Sequence, residues 1–155
     1  MESNIYIGYY KSPVGLLKIQ STSNSIFSIK FSEEKDSKPN MSNIIDNCIE
    51  QLDDYFSGKL KKFKLKLEMH GTPFQVSVWK ALEKIKYGET KSYADISESI
   101  NIKNSFRAVG NANNKNKITI IVPCHRVIGK SGNMTGYGAG IWRKEWLLDH
   151  ERKFK

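Results

Sequence analysis

Five β-branched residues in a row, Ile118-Thr119-Ile120-Ile121-Val122, run directly into Pro123-Cys124-His125-Arg126-Val127. Branched side chains in succession favour burial and disfavour a helix. Pro123 then stops any central strand, because it has no N–H to give to a ladder. A thiol beside an imidazole is thereby delivered to the end of a buried strand or turn. Such a thiol is chemically useful only where the fold makes it a thiolate.

The chain around this segment has 155 residues, 39% hydrophobic and 11% aromatic, enough for one large domain or two small ones with a real core. It contains no apolar stretch long enough for a transmembrane helix. Met1-Glu2-Ser3-Asn4 does not lead from a basic segment into an apolar one, so a cytoplasmic protein is expected. Cys48 and Cys124 are then two free thiols. There is no CxxC pair, and His70, His125 and His150 lack metal-ligand spacing, so no metal and no cofactor is expected.

The net charge of +9 is unevenly spread. Residues 1–70 hold 10 Lys against 9 Asp and Glu, whereas residues 71–155 hold 15 Lys and Arg against 7 acids, with all four arginines. A basic half beside a near-neutral half points to a polyanion partner. A lysine-rich solvated surface accounts for the lysines equally well.

Ile5–Tyr10, Leu16–Ser21 and Ile26–Phe31 read as short antiparallel strands, with turns at Pro13-Val14-Gly15 and Ser23-Asn24-Ser25. Ile44, Ile45, Cys48, Ile49, Leu52, Tyr55 and Phe56 recur at helical spacing, and Ser57-Gly58 ends that helix. Cys48 lies on its apolar stripe and reads as a core residue. Lys59–Glu68, with alternating Phe63, Leu65 and Leu67, is a candidate further strand. A domain boundary falls near His70-Gly71, giving domains of residues 1–70 and 71–155.

Thr72-Pro73-Phe74-Gln75 is a capping box with proline at the first helical position. The helix it opens buries Val76, Trp79, Leu82 and Ile85 and runs towards Gly88. Ser92 to Asp95 caps a second helix, Tyr93–Ile100. A turn at Asn101-Ile102-Lys103 and a helix over about Ser105–Asn113 follow. Helix, short turn and helix in the basic half read as helix-turn-helix, and an ordinary helical hairpin fits the same pattern. The segment Gly129–Gly140 around Tyr137 is a loop. Trp142–Glu151 is a closing helix that offers Trp142, Trp146 and Leu147 for packing. His150 reads as a packing or capping residue of that helix.

The chemistry centres on Cys124. His125 can take the thiol proton if a third group orients it, and Asp149 and Glu151 are the carboxylates available. A Cys/His/acid set serves an acyl-transferring hydrolase or an alkyl acceptor. Ile121-Val122-Pro123-Cys124-His125-Arg126-Val127-Ile128 resembles the active-site signature of the O6-alkylguanine-DNA alkyltransferases. The likeness continues through Thr72-Pro73-Phe74-Gln75, Val78-Trp79, Tyr87-Gly88-Glu89, Ser92-Tyr93, Arg107-Ala108-Val109-Gly110 and Lys144-Glu145-Trp146-Leu147-Leu148 with His150-Glu151.

The resemblance implies an α+β protein. Its small N-terminal antiparallel-sheet domain would be ribonuclease H-like, and its mostly helical second domain would carry the helix-turn-helix. The partner would be double-stranded DNA containing O6-alkylguanine, and O4-alkylthymine in some relatives, bound by a monomer with no membrane attachment. Cys124 would accept the alkyl group irreversibly, once per molecule. His125, oriented by Glu151, would draw off its proton through water. Asn116 would fix the turn ahead of the active-site segment. Tyr93 would hydrogen-bond the base and help rotate its phosphate. Val127 and Gly138 would read the base edge, Tyr137 would stack on it, and Lys144 would lie close by. The loop 129–140 would cover the pocket.

Arg107 would fill the space left by the flipped nucleotide. Ala108, Gly110 and Ala112 would face the minor groove, with Ser92 and Arg126 near phosphates. Arg126 would alternatively pair with an acid and hold its turn. Thr119 stands where some relatives carry proline, and Asn111 where small residues are frequent. Some relatives hold zinc in the first domain, where this chain offers only Cys48 and His70. Two other functions compete: a lesion-binding relative that performs no chemistry, and a cysteine hydrolase using Cys124, His125 and an acid.

Overall fold

Along Gly15–Ser21 the residues Leu17, Ile19 and Ser21 are buried and their neighbours are not, the period-two pattern of a half-buried strand. The computed structural model describes residues 4–103, 105–129, 132 and 137–155. It places this strand, β2, between β1 (Tyr6–Ser12) and β3 (Ile26–Phe31) in an antiparallel sheet. Tyr6 pairs with Ser21 and Ser12 with Gly15, while Ile19 lies opposite Ile29 and a register irregularity falls at Gln20/Ser21.

Helix α1 (Asn43–Phe56) packs on β1 and β2. Ser42 caps it by accepting from the Ile45 N–H at 3.1 Å. Ile45, Cys48, Leu52 and Tyr55 form its buried stripe, each worth about 1.5–3 kcal/mol of burial. The approach is close: a Cβ on Gly8 would clash with Ile45 Cγ2.

The expected strand over Lys59–Glu68 does not form. Only Leu67 bridges, in parallel, to Ile26. Lys64 N–H instead donates to Gln51 Oε1 at 2.8 Å, and Gln51 Nε2 donates to Lys64 O at 3.1 Å. The α1 side chain takes the backbone bonds that a strand partner would have used.

The chain divides into two compact units, Met1–Met69 and His70–Lys155. In the second unit, α2 (Pro73–Glu83) opens with the reciprocal Thr72–Gln75 box. It ends at Glu83, earlier than its pattern suggests, because Lys84 and Ile85 N–H bond back only three residues. Val78, Trp79 and Leu82 are buried, whereas Val76 is only half-buried. Trp79 Nε1 donates to Ala112 O at 2.8 Å, tying α2 to α4 (Phe106–Asn114).

Helix α3 (Tyr93–Ser99) carries the Ser92–Asp95 capping box. The turn after it passes through Asn101 at φ +61, a left-handed position that asparagine tolerates. Helices α3 and α4 pack together as a helix-turn-helix. The closing helix α5 (Ile141–Lys153) buries Lys144, Leu147, Leu148, His150 and Glu151. Trp142, expected to pack, is 55% exposed. Trp146 stacks on His150 with centroids 5.0 Å apart. No helix among the described residues is long and apolar enough to cross a membrane.

Candidate active site

The β-branched run turns; it does not extend. Ile121 N–H bonds to Thr119 O at 2.9 Å across Ile120, whose φ is +72. That is the strained form of the γ-turn, and a branched side chain pays roughly 1–3 kcal/mol to adopt such a φ. Cys124 N–H closes a second γ-turn on Val122 O at 2.8 Å, across Pro123. Asn116 holds both ends: Nδ2 donates to Val122 O at 2.7 Å, and Oδ1 accepts from Ile118 N–H at 3.0 Å. Burial of Ile118, Ile120 and Val122 secures the turn from the other side.

Cys124, His125 and Arg126 then form one 3₁₀ turn, followed by β5 (Val127–Ile128). β5 pairs in parallel with β4 (Lys91–Ser92), placing Ser92 beside Ile128. The residue that caps α3 is thereby joined to the strand leaving the Cys-His-Arg turn.

Glu151 of α5, rather than Asp149, is the acid at this turn. It accepts from His125 Nε2 at 2.7 Å, from Arg126 Nε at 2.8 Å and Nη2 at 3.0 Å, and from Gly88 N–H at 3.3 Å. Asp149 is exposed and pairs with Arg152. Burial would raise the Glu151 carboxyl, but the hydrogen bonds and charges of His125 and Arg126 prevail and hold it well below the carboxylate range.

Burial is also the main force on His125, and it lowers the imidazole below its ordinary 6.5 against the pull of Glu151. Arg126 already neutralises the acid, so the ring is neutral. An ionised carboxylate only accepts, so Nε2 carries the proton. Nδ1 therefore holds a lone pair. It is buried and has no hydrogen-bond partner among the described residues. A base is thus oriented through its far nitrogen, one residue from the thiol.

Cys124 itself is buried. Desolvation pushes its thiol up. Hydrogen bonds from Asn116 and Thr119 and the charge of Lys144 oppose this without overcoming it. Lys144 is fully buried, donates to Val127 O, and is lowered by its own desolvation. Tyr137 is buried, and its hydroxyl lies 3.1 Å from Thr119 Oγ1. The resting site holds a protonated thiol beside a neutral base and a buried lysine. At pH 7, Cys124 should react with iodoacetamide at least about tenfold more slowly than free cysteine, its rate climbing with pH. Peptide mass spectrometry of the Cys124 fragment measures this, and labelling at the rate of free cysteine would contradict it.

Two of the residues expected at DNA are placed elsewhere. Arg126 is 7% exposed, with Nε and Nη2 donating to Glu151 and Nη1 to Ile85 O at 2.7 Å, so its guanidinium is turned inward and holds the turn. Ala112 is buried beneath Trp79. Positions two apart on a helix do not share a face. Gly110 is half-buried towards α3, where a Cβ would lie 3.7 Å from Tyr93 Cε1. Phe106, Arg107, Ala108, Asn111 and Asn114 are the exposed residues of α4. Ser92 and Tyr93 are half-buried at the start of α3, and Gly138 is exposed. Of the expected cover over residues 129–140, only Gly129, Gly132 and residues 137–140 are described, so that reading lies outside the described residues.

One residue escaped sequence reasoning. Asn113, buried on α4, donates from Nδ2 to Cys124 O at 3.3 Å. The signal was its place four residues after Val109 on the buried face. Polarity alone would have put it outside.

Residues 73–153 match the family described as 6-O-methylguanine DNA methyltransferase, DNA binding domain, and residues 5–69 match the ribonuclease-like domain of the same family. A methylated-DNA–protein-cysteine methyltransferase of Methanosarcina barkeri is 44% identical over 95% of this chain and 97% of its own. The crystal structure of the Mycobacterium tuberculosis O6-methylguanine methyltransferase superimposes with a TM-score of 0.90 at 39% identity, over 98% of this chain and 95% of that one. The M. tuberculosis protein in complex with DNA gives 0.88 at 42% identity, over 94% and 92%.

Proposed function

The chain belongs to the 6-O-methylguanine DNA methyltransferase family, and from that premise we propose that it repairs DNA by direct reversal, taking the alkyl group of O6-alkylguanine onto Cys124. The observation that carries this reading is the buried Cys124 thiol beside a neutral His125, whose Nε2 proton is held by Glu151. His125 Nδ1 draws off the thiol proton through water. The sulfur attacks the alkyl carbon, the S–C bond forms and the O6–C bond breaks. The leaving guanine takes up a proton, and hydrogen bonding from Tyr93 favours that neutral leaving group over an anion. The thioether is stable, so each molecule reacts once. No acyl oxyanion develops, which distinguishes this chemistry from that of a cysteine hydrolase.

A guanine inside a duplex cannot reach a buried thiol and must flip out, at a cost of a few kcal/mol. Arg107, exposed at the start of α4, fills the vacated stack. Ala108 lies beside it, facing the groove, and Ser92 near the phosphates. Val127, Gly138, Tyr137 and Lys144 surround the base. Phosphate contacts by the basic half make binding salt-sensitive and largely indifferent to sequence. The protein works as a monomer in the reducing cytoplasm, where both cysteines stay free.

Incubation with a duplex bearing one O6-methylguanine, followed by peptide mass spectrometry, tests the reading. At most one methyl per protein, on the Cys124 fragment, is expected. Unmodified protein still bound to the lesion would indicate a lesion-binding relative, and multiple turnover a hydrolase. Arg107→Ala should slow transfer from the duplex more than from the same lesion in a single strand. Equal losses on both would remove Arg107 from the stack.

A further inference from the structure

Phe106 is 50% exposed on the first residue of α4, one position before Arg107. A ring of this size ordinarily contributes to a core. Here its inner edge lines a cleft of about 170 Å³ with Ser92, Tyr93 and Ala94, at the start of α3. The ring stands at the tip of α4, across this cleft from the first turn of α3. Ile102, in the turn between them, is exposed as well. The helix-turn-helix therefore presents apolar surface next to the arginine that enters DNA, in a unit whose formal charge is otherwise strongly positive.

We infer that Phe106 is a second wedge: its ring enters the base stack beside Arg107 and packs on the base pair that flanks the flipped nucleotide. The inference rests on the base-flipping reading of the same site. A phenyl ring has no hydrogen-bonding group and reads no base edge. It gains stacking on a base face, and it opposes closure of the gap. Apolar side chains between base steps are the means by which minor-groove proteins unstack DNA. Arg107 brings a charged, hydrogen-bonding group into the gap, and the ring beside it keeps water away from the neighbouring base. Opening costs least at pyrimidine–purine steps. Phe106 consequently makes repair depend on the base flanking the lesion, although no edge of that base is contacted.

The test uses the full chain and duplexes in which O6-methylguanine is preceded by thymine or by adenine, with 2-aminopurine next to the lesion. Phe106→Ala should slow transfer from duplex about tenfold, the loss of one stacked base. It should lower the 2-aminopurine fluorescence of the complex and erase the difference between thymine and adenine flanks. Transfer from the single-stranded oligonucleotide should stay at the parental rate. Phe106→Leu, which keeps an apolar wedge, should recover most of the duplex rate.

Parental duplex rate and fluorescence in Phe106→Ala would overturn the wedge. So would equal slowing on single and double strands, because the ring would then only support the packing of α3 and α4. A parent protein that methylates on neither substrate would instead overturn the alkyltransferase reading.

Discussion

Glu151→Gln is expected to lower the stability of the His70–Lys155 unit by about 3–5 kcal/mol and to slow methyl transfer at least a hundredfold. The carboxylate is fully buried and neutralises Arg126, which is itself buried. Glutamine keeps the volume but turns an acceptor into a donor opposite the guanidinium. The cation is left without a counter-charge, and His125 loses the acceptor that fixes its Nε2 proton. Trp79, Trp142 and Trp146, the only tryptophans, all lie in this unit, so tryptophan fluorescence during urea unfolding reports its stability directly. A variant as stable and as fast as the parent would dismiss Glu151 from both roles.

The same acid sets the response to pH. Glu151 is lowered from 4.5 and His125 from 6.5 in the folded protein. Both are depressed, so the unfolded chain binds protons at these groups first as pH falls. Their contribution to stability is complete above about pH 6.5. It declines from there as the unfolded histidine charges, and further below pH 4.5 as the unfolded carboxyl protonates. In Glu151→Gln the second decline should be shallower than in the parent. Parallel unfolding curves below pH 4.5 would contradict this.

Cys124→Ala is expected to abolish transfer altogether while leaving duplex binding intact. The other cysteine cannot take over. Cys48, the other thiol, is buried in the α1 stripe and pushed up to about 12 by desolvation, so at neutral pH it supplies no nucleophile. Loss of one buried sulfur leaves only a small void, so stability should change by about 1 kcal/mol or less. Radiolabelled methyl transfer and gel-shift titration on the same duplex separate the two effects. Any methyl recovered on the variant protein would place the acceptor elsewhere.

Short-range patterns were legible in the sequence. The Thr72–Gln75 and Ser92–Asp95 boxes are three-residue relations between a cap and the first turn, and both stand as the spacing indicates. The stripe of α1 follows from its 3.6 period. What the spacing left open was settled by contacts distant in sequence. Asp149 and Glu151 are equivalent as letters, and only the packing of α5 against the 3₁₀ turn brings Glu151, 26 residues on, to His125. Arg126 had two destinations for the same reason. Asn113 and Ala112 depend on which side of α4 meets α2, and that follows from the bond between Trp79 and a carbonyl 33 residues away. Lys59–Glu68 alternates like a strand, but Gln51 of α1 takes its backbone groups.

The paired γ-turns bear on attempts to transplant the reactive segment. Pro123–Val127 carries the thiol and imidazole but none of the atoms that hold Ile120 at its positive φ. Those belong to Asn116, to the burial of Ile118 and Val122, and to the helices that surround them. A pentapeptide of this sequence, or a surface loop into which it is grafted, would lack the turn at Ile120 that precedes it and present an ordinary solvated cysteine. The reactive unit is the turn together with its supports, and it can be moved between scaffolds only as a whole.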